Sequence, residues 1–210
     1  DKPNTHYFHV VMQISKLPGK YAELKLPAWT PGYYRIMDYA KNITSFEAFD
    51  MDGKALEWEK TDKNTWKINK RGQKDIIIEY DVYSYNVSVA DPYLDYGRAF
   101  IPPAGVFMYP AGKPGLPSTI TIIPYHEWES VCTGLDPVDG SQNTFRAENF
   151  DVLYDSPILA GNLEIIEFRV EDLPYTIAVE RPGNTDLDRF TGDLKKVIRT
   201  TTELIGDIPY

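Results

Sequence analysis

The sequence has a single cysteine, three histidines and no apolar run long enough to cross a membrane, and each scarcity excludes a class of protein. Cys132 alone cannot form a disulfide within the chain, so this is not a disulfide-stabilised scaffold. Runs such as Ile76 to Ile78 fall far short of the roughly 20 apolar residues that a spanning helix needs. Acidic residues outnumber basic ones, 31 to 22, and the net charge of −9 argues against nucleic acid or an anionic membrane surface as a partner.

The sequence contains few signals for the cellular compartment of the protein. The chain begins at Asp1 with neither a methionine nor a signal-like apolar run, which suggests a mature or trimmed start. Cysteine usage leaves the compartment open, and a bacterial periplasmic or other extracytoplasmic location is favoured.

Motifs for catalysis and metal binding are missing as well. A zinc peptidase of the HExxH type needs two histidines one helical turn apart, and in the nearest run, 126–130, Ser130 stands in the place of the second histidine. His6 and His9 are three apart in a predicted strand, so their side chains should point to opposite faces. No nucleophile elbow, P-loop or dinucleotide glycine pattern is present. We therefore expect no catalytic residue, metal ligand or cofactor in this chain, and no activity from it alone.

What the sequence has in abundance is β-branched and aromatic residues. Between residues 6 and 180 they form runs of about 5 to 10 residues separated by turn clusters, a spacing typical of all-β domains. We predict an all-β fold with sandwich-like or open antiparallel sheets. The predicted strands are 6–15, 21–26, 43–49, 65–68, 75–83, 118–123, 144–147, 164–170 and 175–179.

Turn signals separate these strands. Residues 50–54 and 136–140 contain the Asp and Gly residues of tight hairpins. Residues 102–105 and 110–115 are rich in Pro and Gly and frame a long irregular segment. Both a functional loop and a strapped-down structural loop remain open for that segment.

The period of the apolar residues changes near the end of the chain. From Leu187 to Ile205 they recur at helical spacing, which predicts an amphipathic helix. Thr185 and Asp188 have the spacing of a capping box, and Gly206 stands where the helix should stop.

This change of period follows Arg181-Pro182-Gly183, so we place a domain boundary there. The prediction is an N-terminal β domain over residues 1–182, followed over residues 183–210 by the first helix of a truncated domain. The helix must bury its apolar stripe on the sheet or on a following domain, and the following domain is favoured.

The stretch Leu26-Pro27-Ala28-Trp29-Thr30-Pro31-Gly32-Tyr33-Tyr34 predicts a shaped corner, because its prolines fix φ and Gly32 permits backbone conformations closed to other residues. This string resembles the LPxWTPGxY signature of the glycyl aminopeptidase family. Residues 88–100 resemble the family's SVRxxYLDxxRxF block, except that Ala90 stands where an arginine is common. Residues 62–66, 155–161 and 206–210 are similar to three further family motifs in the same order.

Residues 87–100 form the candidate site, since the segment concentrates two carboxylates, an arginine and aromatic residues around a proline and a glycine. One interpretation is structural: Asp95 and Arg98 pair and cap the loop. The other is recognition, because a carboxylate on a rigid loop complements the cationic amino terminus of a peptide. The candidate substrate-binding residues are Asp91, Tyr93, Asp95 and Arg98.

Members of the resembled family are zinc metallopeptidases with a β-rich domain, then a thermolysin-like catalytic domain and usually a PDZ domain. The resemblance implies that this chain is the non-catalytic N-terminal domain of a zinc-dependent aminopeptidase that prefers glycine or small residues. Its partners would be its own downstream catalytic domain and the peptide substrate, and the zinc ligands would lie beyond Tyr210. Two other classes stay open. With 15 tyrosines and 4 tryptophans the chain has the composition of an aromatic-rich carbohydrate-binding module, or it is a structural β spacer.

Overall fold

The computed structural model describes residues 2–29 and 33–206, which form short antiparallel strands and one long helix. The predicted all-β class is confirmed. The chain divides into two compact units, Asp1–Gly161 and Asn162–Tyr210. The strands of the described part are β1 (Tyr7–Ile14), β2 (Tyr21–Lys25), β3 (Ile43–Phe49), β4 (Trp58–Asp62), β5 (Thr65–Asn69), β6 (Ile76–Tyr83), β7 (Tyr93–Leu94), β8 (Arg98–Ile101), β9 (Tyr109–Pro110), β10 (Ser118–Thr121), β11 (Ser130–Thr133), β12 (Asp136–Pro137), β13 (Thr144–Ala147), β14 (Ile158–Gly161), β15 (Leu163–Val170) and β16 (Leu173–Glu180).

The helices are fewer. Two α-helices, α1 (Phe150–Tyr154) and α2 (Leu187–Ile205), and short 3-10 turns at Pro3–Thr5, Tyr39–Asn42 and Pro103–Gly105 complete the described elements. Neither α-helix in residues 2–29 and 33–206 has the length and apolar character needed to span a membrane.

The described residues of the first unit form four small antiparallel sheets, with strand orders β1-β6-β3, β4-β5-β2-β9, β10-β13-β12 and β11-β14-β8-β7. Alternation along the strands directs every second side chain inward. In β6, for example, Ile76, Ile78, Tyr80 and Val82 are all fully buried. Inward-facing residues of the four sheets join one hydrophobic core.

The irregular segment after β8 is fixed to the core by hydrogen bonds. The buried Tyr80 hydroxyl donates a hydrogen bond to the Val106 carbonyl at 2.9 Å and accepts one from the Met108 N–H at 3.2 Å. Burial raises the pKa of Tyr80 far above its ordinary value, so the phenol stays neutral and keeps donating. Val106 and Met108 are themselves buried, which favours the structural interpretation of this segment.

The predicted corner at 26–34 lies partly outside the described residues, because Thr30, Pro31 and Gly32 are among those not described. Its described flank is fixed by Asn64, whose side-chain amide donates to the Leu26 carbonyl at 2.7 Å. The Asn64 carbonyl accepts from the Leu26 N–H at 3.0 Å. Two of the motifs quoted above, 26–34 and 62–66, therefore meet through reciprocal hydrogen bonds.

The second unit is a hairpin followed by a helix. Strands β15 and β16 pair antiparallel, and the Phe168 and Tyr175 rings stack at 5.4 Å. Helix α2 ends at Ile205, and Gly206 caps it in a left-handed conformation with φ 88°, as predicted. The predicted cap at Thr185 is wrong: the N-cap is Asp186, whose carboxylate accepts from the Arg189 N–H at 3.0 Å.

The compact units divide after residue 161, and the predicted domain boundary at 182/183 falls inside the second unit, between its hairpin and its helix. The assignment of residues 183–210 to a catalytic domain stays a prediction.

Candidate functional site

The candidate segment, residues 87–100, contains β7 and most of β8, which are neighbouring strands of one sheet. Strands β7 and β8 form a hairpin in which Tyr93 faces Phe100 and Leu94 faces Ala99. Strand β14 pairs on the other side of β8 and places Gly161 opposite Arg98. The two motif blocks 88–100 and 155–161, which are far apart in sequence, are therefore neighbours in the fold.

Gly161 makes this neighbourhood possible by its lack of a side chain. A Cβ at Gly161 would lie 3.0 Å from the Gly97 carbonyl oxygen and 3.5 Å from the Arg98 Cβ. A glycine is needed here for close approach of two backbones, and no left-handed φ is involved.

Asp95 organises the turn between β7 and β8. One carboxylate oxygen accepts from the N–H groups of Gly97 at 2.8 Å and Arg98 at 3.1 Å, and the other accepts from the Tyr93 hydroxyl at 2.7 Å. Partial burial opposes ionisation of Asp95, but these hydrogen bonds and the Arg98 charge outweigh it and lower its pKa. Asp95 thus stays ionised and caps the turn, in line with the structural interpretation of this residue.

Tyr93 and Arg98 form a stacked pair beside this carboxylate. The Arg98 guanidinium carbon lies 4.6 Å from the Tyr93 ring centroid, a cation–π distance. The hydrogen bond to Asp95, with some desolvation, raises the pKa of Tyr93 to about 12. The phenol therefore remains a neutral donor at physiological pH.

Asp91 holds the preceding turn. Its carboxylate accepts from the Asn86 side-chain amide and the Ser88 hydroxyl, both at 2.7 Å. The Ser88 hydroxyl oxygen in turn accepts from the N–H groups of Ala90 at 3.0 Å and Asp91 at 2.9 Å. The Tyr39 hydroxyl donates to the Ala90 carbonyl at 2.9 Å and fixes this turn to the core.

A surface depression of about 280 Å³ opens beside the hairpin. It is lined by mainly apolar side chains with one guanidinium, namely Val87, Ser88, Val89, Tyr93, Arg98, Phe100 and Leu159. Of the four predicted site residues, Tyr93 and Arg98 line the depression. Asp91 and Asp95 do not; their oxygens hold the loop that shapes it.

Trp128 is a supporting residue that the sequence did not reveal. The buried indole donates its N–H to the Tyr96 carbonyl at 2.9 Å and so anchors the tip of the β7–β8 hairpin. Its ring also packs edge-on against Tyr125 at 5.9 Å. The run 126–130, inspected for its likeness to a zinc motif, thus contributes a packing residue to the site.

The side chains that could bind a metal ion are dispersed in the described residues. The described residues contain no cluster of three or more His, Cys, Asp or Glu side chains able to hold an ion. His6 Nδ1 lies 2.6 Å from the Leu94 carbonyl oxygen, and His9 Nδ1 lies 2.9 Å from an Asp81 oxygen, so the two histidines serve separate contacts.

The chain is similar to known proteins in both sequence and fold. A family model described as the Peptidase M61 N-terminal domain matches residues 1–162. A crystal structure of an aminopeptidase N family protein from Idiomarina loihiensis superposes with a TM-score of 0.91 at 29% identity, and the match covers 100% of this chain and 36% of that one. No curated protein matches the chain. The chain therefore spans about a third of the length of this solved protein.

Proposed function

Because the chain belongs to the Peptidase M61 N-terminal domain family, we propose that it is the non-catalytic N-terminal domain of a zinc-dependent aminopeptidase, which walls the active-site cleft and helps to position the peptide amino terminus. The observation that carries this proposal is the family match over residues 1–162. A preference for glycine or small residues and a PDZ domain in the parent protein belong to the same proposal.

Zinc does not fit the residues described here, since no cluster of suitable side chains is present among them. We assign its ligands to a downstream catalytic domain. The matched aminopeptidase N family protein is long enough to contain such a domain, because this chain corresponds to 36% of its length.

The four predicted site residues have two different roles. Asp91 and Asp95 are positioning residues, because their hydrogen bonds fix the turns on either side of Tyr93. Tyr93 and Arg98 line the depression and are the groups that substrate would contact. The Arg98 guanidinium, which only donates hydrogen bonds and would repel a cationic amino terminus, would contact a peptide carbonyl. The two carboxylates also add to the acidic field of a chain of net charge −9, which attracts a cationic amino terminus.

The test uses the full-length protein and a glycyl anilide. We expect Asp95→Asn and Arg98→Lys to raise KM by roughly 10- to 150-fold, because a hydrogen bond to a charged group contributes about 1.5–3 kcal/mol. Asp52→Asn is the matched control, since Asp52 is an exposed aspartate in a turn of another sheet region. Unchanged KM and kcat in folded Asp95→Asn and Arg98→Lys proteins would remove the positioning role. Activity that survives a chelator would remove the zinc assignment.

A further inference from the structure

A row of aromatic rings crosses the surface and ends at the depression. Tyr7 and Tyr83 are cross-strand partners at the end of the β1–β6 pair. Tyr85 lies two residues beyond Tyr83 and forms a bridge with Tyr93. With His6, which precedes β1, these residues make up what we call the aromatic ladder: Tyr7, Tyr83, His6, Tyr85 and Tyr93.

Consecutive rings of the ladder are in contact. The ring centroids of Tyr7 and Tyr83 are 5.2 Å apart, and those of His6 and Tyr85 are 3.7 Å apart. Tyr85 and Tyr93 stack at 5.6 Å with an interplanar angle of 17°. The edge of His6 meets Tyr83 at 6.4 Å, which joins the two halves of the ladder.

The ladder is open to solvent although it is well ordered by these contacts. Tyr7, Tyr83 and Tyr85 are 43%, 42% and 52% exposed. Exposed aromatic rings held in place by contacts with one another are typical of binding surfaces.

Ring geometry favours a peptide over a sugar as the occupant. Sugar rings stack on open aromatic faces, but Tyr85 is flanked by His6 at 3.7 Å and by Tyr93 at 5.6 Å, so its faces are engaged within the ladder. Ring edges, which carry partial positive charge, and hydroxyls are what such stacked rings offer to a ligand. Backbone carbonyl and N–H groups of an extended peptide are complementary to both.

Position and charge select the kind of peptide. Tyr93 belongs both to the ladder and to the lining of the depression, so the two surfaces are continuous. The net charge of −9 disfavours an acidic ligand. We propose that the aromatic ladder binds the residues of an extended, neutral or cationic peptide substrate that follow its amino terminus. This inference rests on the proposed aminopeptidase function.

The experiment compares two substrates of the full-length protein, a glycyl anilide and a neutral octapeptide that begins with glycine. In Tyr85→Ala, and in Tyr83→Ala, kcat/KM for the octapeptide should fall about tenfold, the effect of losing one aromatic contact. The value for the anilide, which is too short to reach the ladder, should change less than about twofold. Tyr85→Phe removes only the hydroxyl and should show a smaller fall. Tyr21→Ala is the matched control, because Tyr21 is 44% exposed on β2 and outside the ladder.

Each outcome decides the inference. Octapeptide hydrolysis that is as fast in Tyr85→Ala and Tyr83→Ala as in Tyr21→Ala overturns it, and so does an equal fall for both substrates. If wild-type protein hydrolyses neither substrate, the proposed function fails, and fluorescence anisotropy of labelled octapeptide then tests the ladder alone. Binding that is weakened in Tyr85→Ala supports the ladder, and unchanged or absent binding overturns it. Chitohexaose binding that depends on Tyr85, without peptide binding, assigns the surface to a sugar and also overturns the inference.

Discussion

Replacement of Gly161 by alanine tests how closely the β14 backbone must approach the candidate loop. The added Cβ would lie 3.0 Å from the Gly97 carbonyl oxygen, which is backbone and cannot rotate away. Either β14 or the β7–β8 turn must shift, and overpacking of this kind costs about 1–3 kcal/mol. Since 1 kcal/mol corresponds to roughly 2–4 °C in a chain of this size, we expect Tm to fall by about 2–12 °C.

The matched control is Gly134→Ala, because a Cβ at Gly134 meets no atom within 4 Å. Its stability should stay within about 0.5 kcal/mol of wild type. Urea unfolding followed by tryptophan fluorescence measures both variants, and KM of the full-length proteins reports whether the loop has moved. If Gly161→Ala is as stable as Gly134→Ala and keeps its KM, close packing of the two motifs is not what the glycine provides.

Two further changes test the supports of the fold and the site. The pKa of Asp95 is lowered in the folded chain, so its contribution to stability is present above its ordinary pKa of about 3.9 and is lost as the pH falls through the folded value. The stability gap between wild type and Asp95→Asn in urea unfolding should therefore narrow from pH 7 to pH 3, and a constant gap would refute this role. Lys70 is fully buried and donates to the Leu17 and Pro18 carbonyls, with no carboxylate partner among the described residues. Lys70→Ala should cost about 2–4 kcal/mol in urea unfolding and Lys70→Met less, because methionine keeps the volume; equal losses would contradict this account.

Elements with a strong local pattern were predictable from sequence. Strands β3 and β13 have the predicted bounds, and all nine predicted strands are present. Helix α2, from Leu187 to Ile205, was predictable because the spacing of its apolar residues and the glycine at 206 are local signals. The strands that were not predicted are all two to five residues long. Strands β7, β8 and β14 belong to this group, and they exist because they pair with one another, which no local pattern records.

The candidate site, like the short strands, could be predicted from sequence only in part. Composition singled out residues 87–100, and Tyr93 and Arg98 do lie together. It did not show that Asp91 and Asp95 turn their oxygens into the loop, since that depends on the hairpin geometry. The anchor from Trp128 to Tyr96 spans 32 residues and forms only once the sheet has assembled. Whether Asp91, Tyr93, Asp95 and Arg98 serve substrate stays a prediction.

The central claim is that this chain is a non-catalytic part of a zinc aminopeptidase. The most direct measurement is glycyl-anilide hydrolysis by the 210-residue chain and by the full-length product of its gene, each with and without a chelator. The account predicts chelator-sensitive hydrolysis by the full-length protein and none by the 210-residue chain. Hydrolysis by the shorter chain, or none by a folded full-length protein, would contradict it.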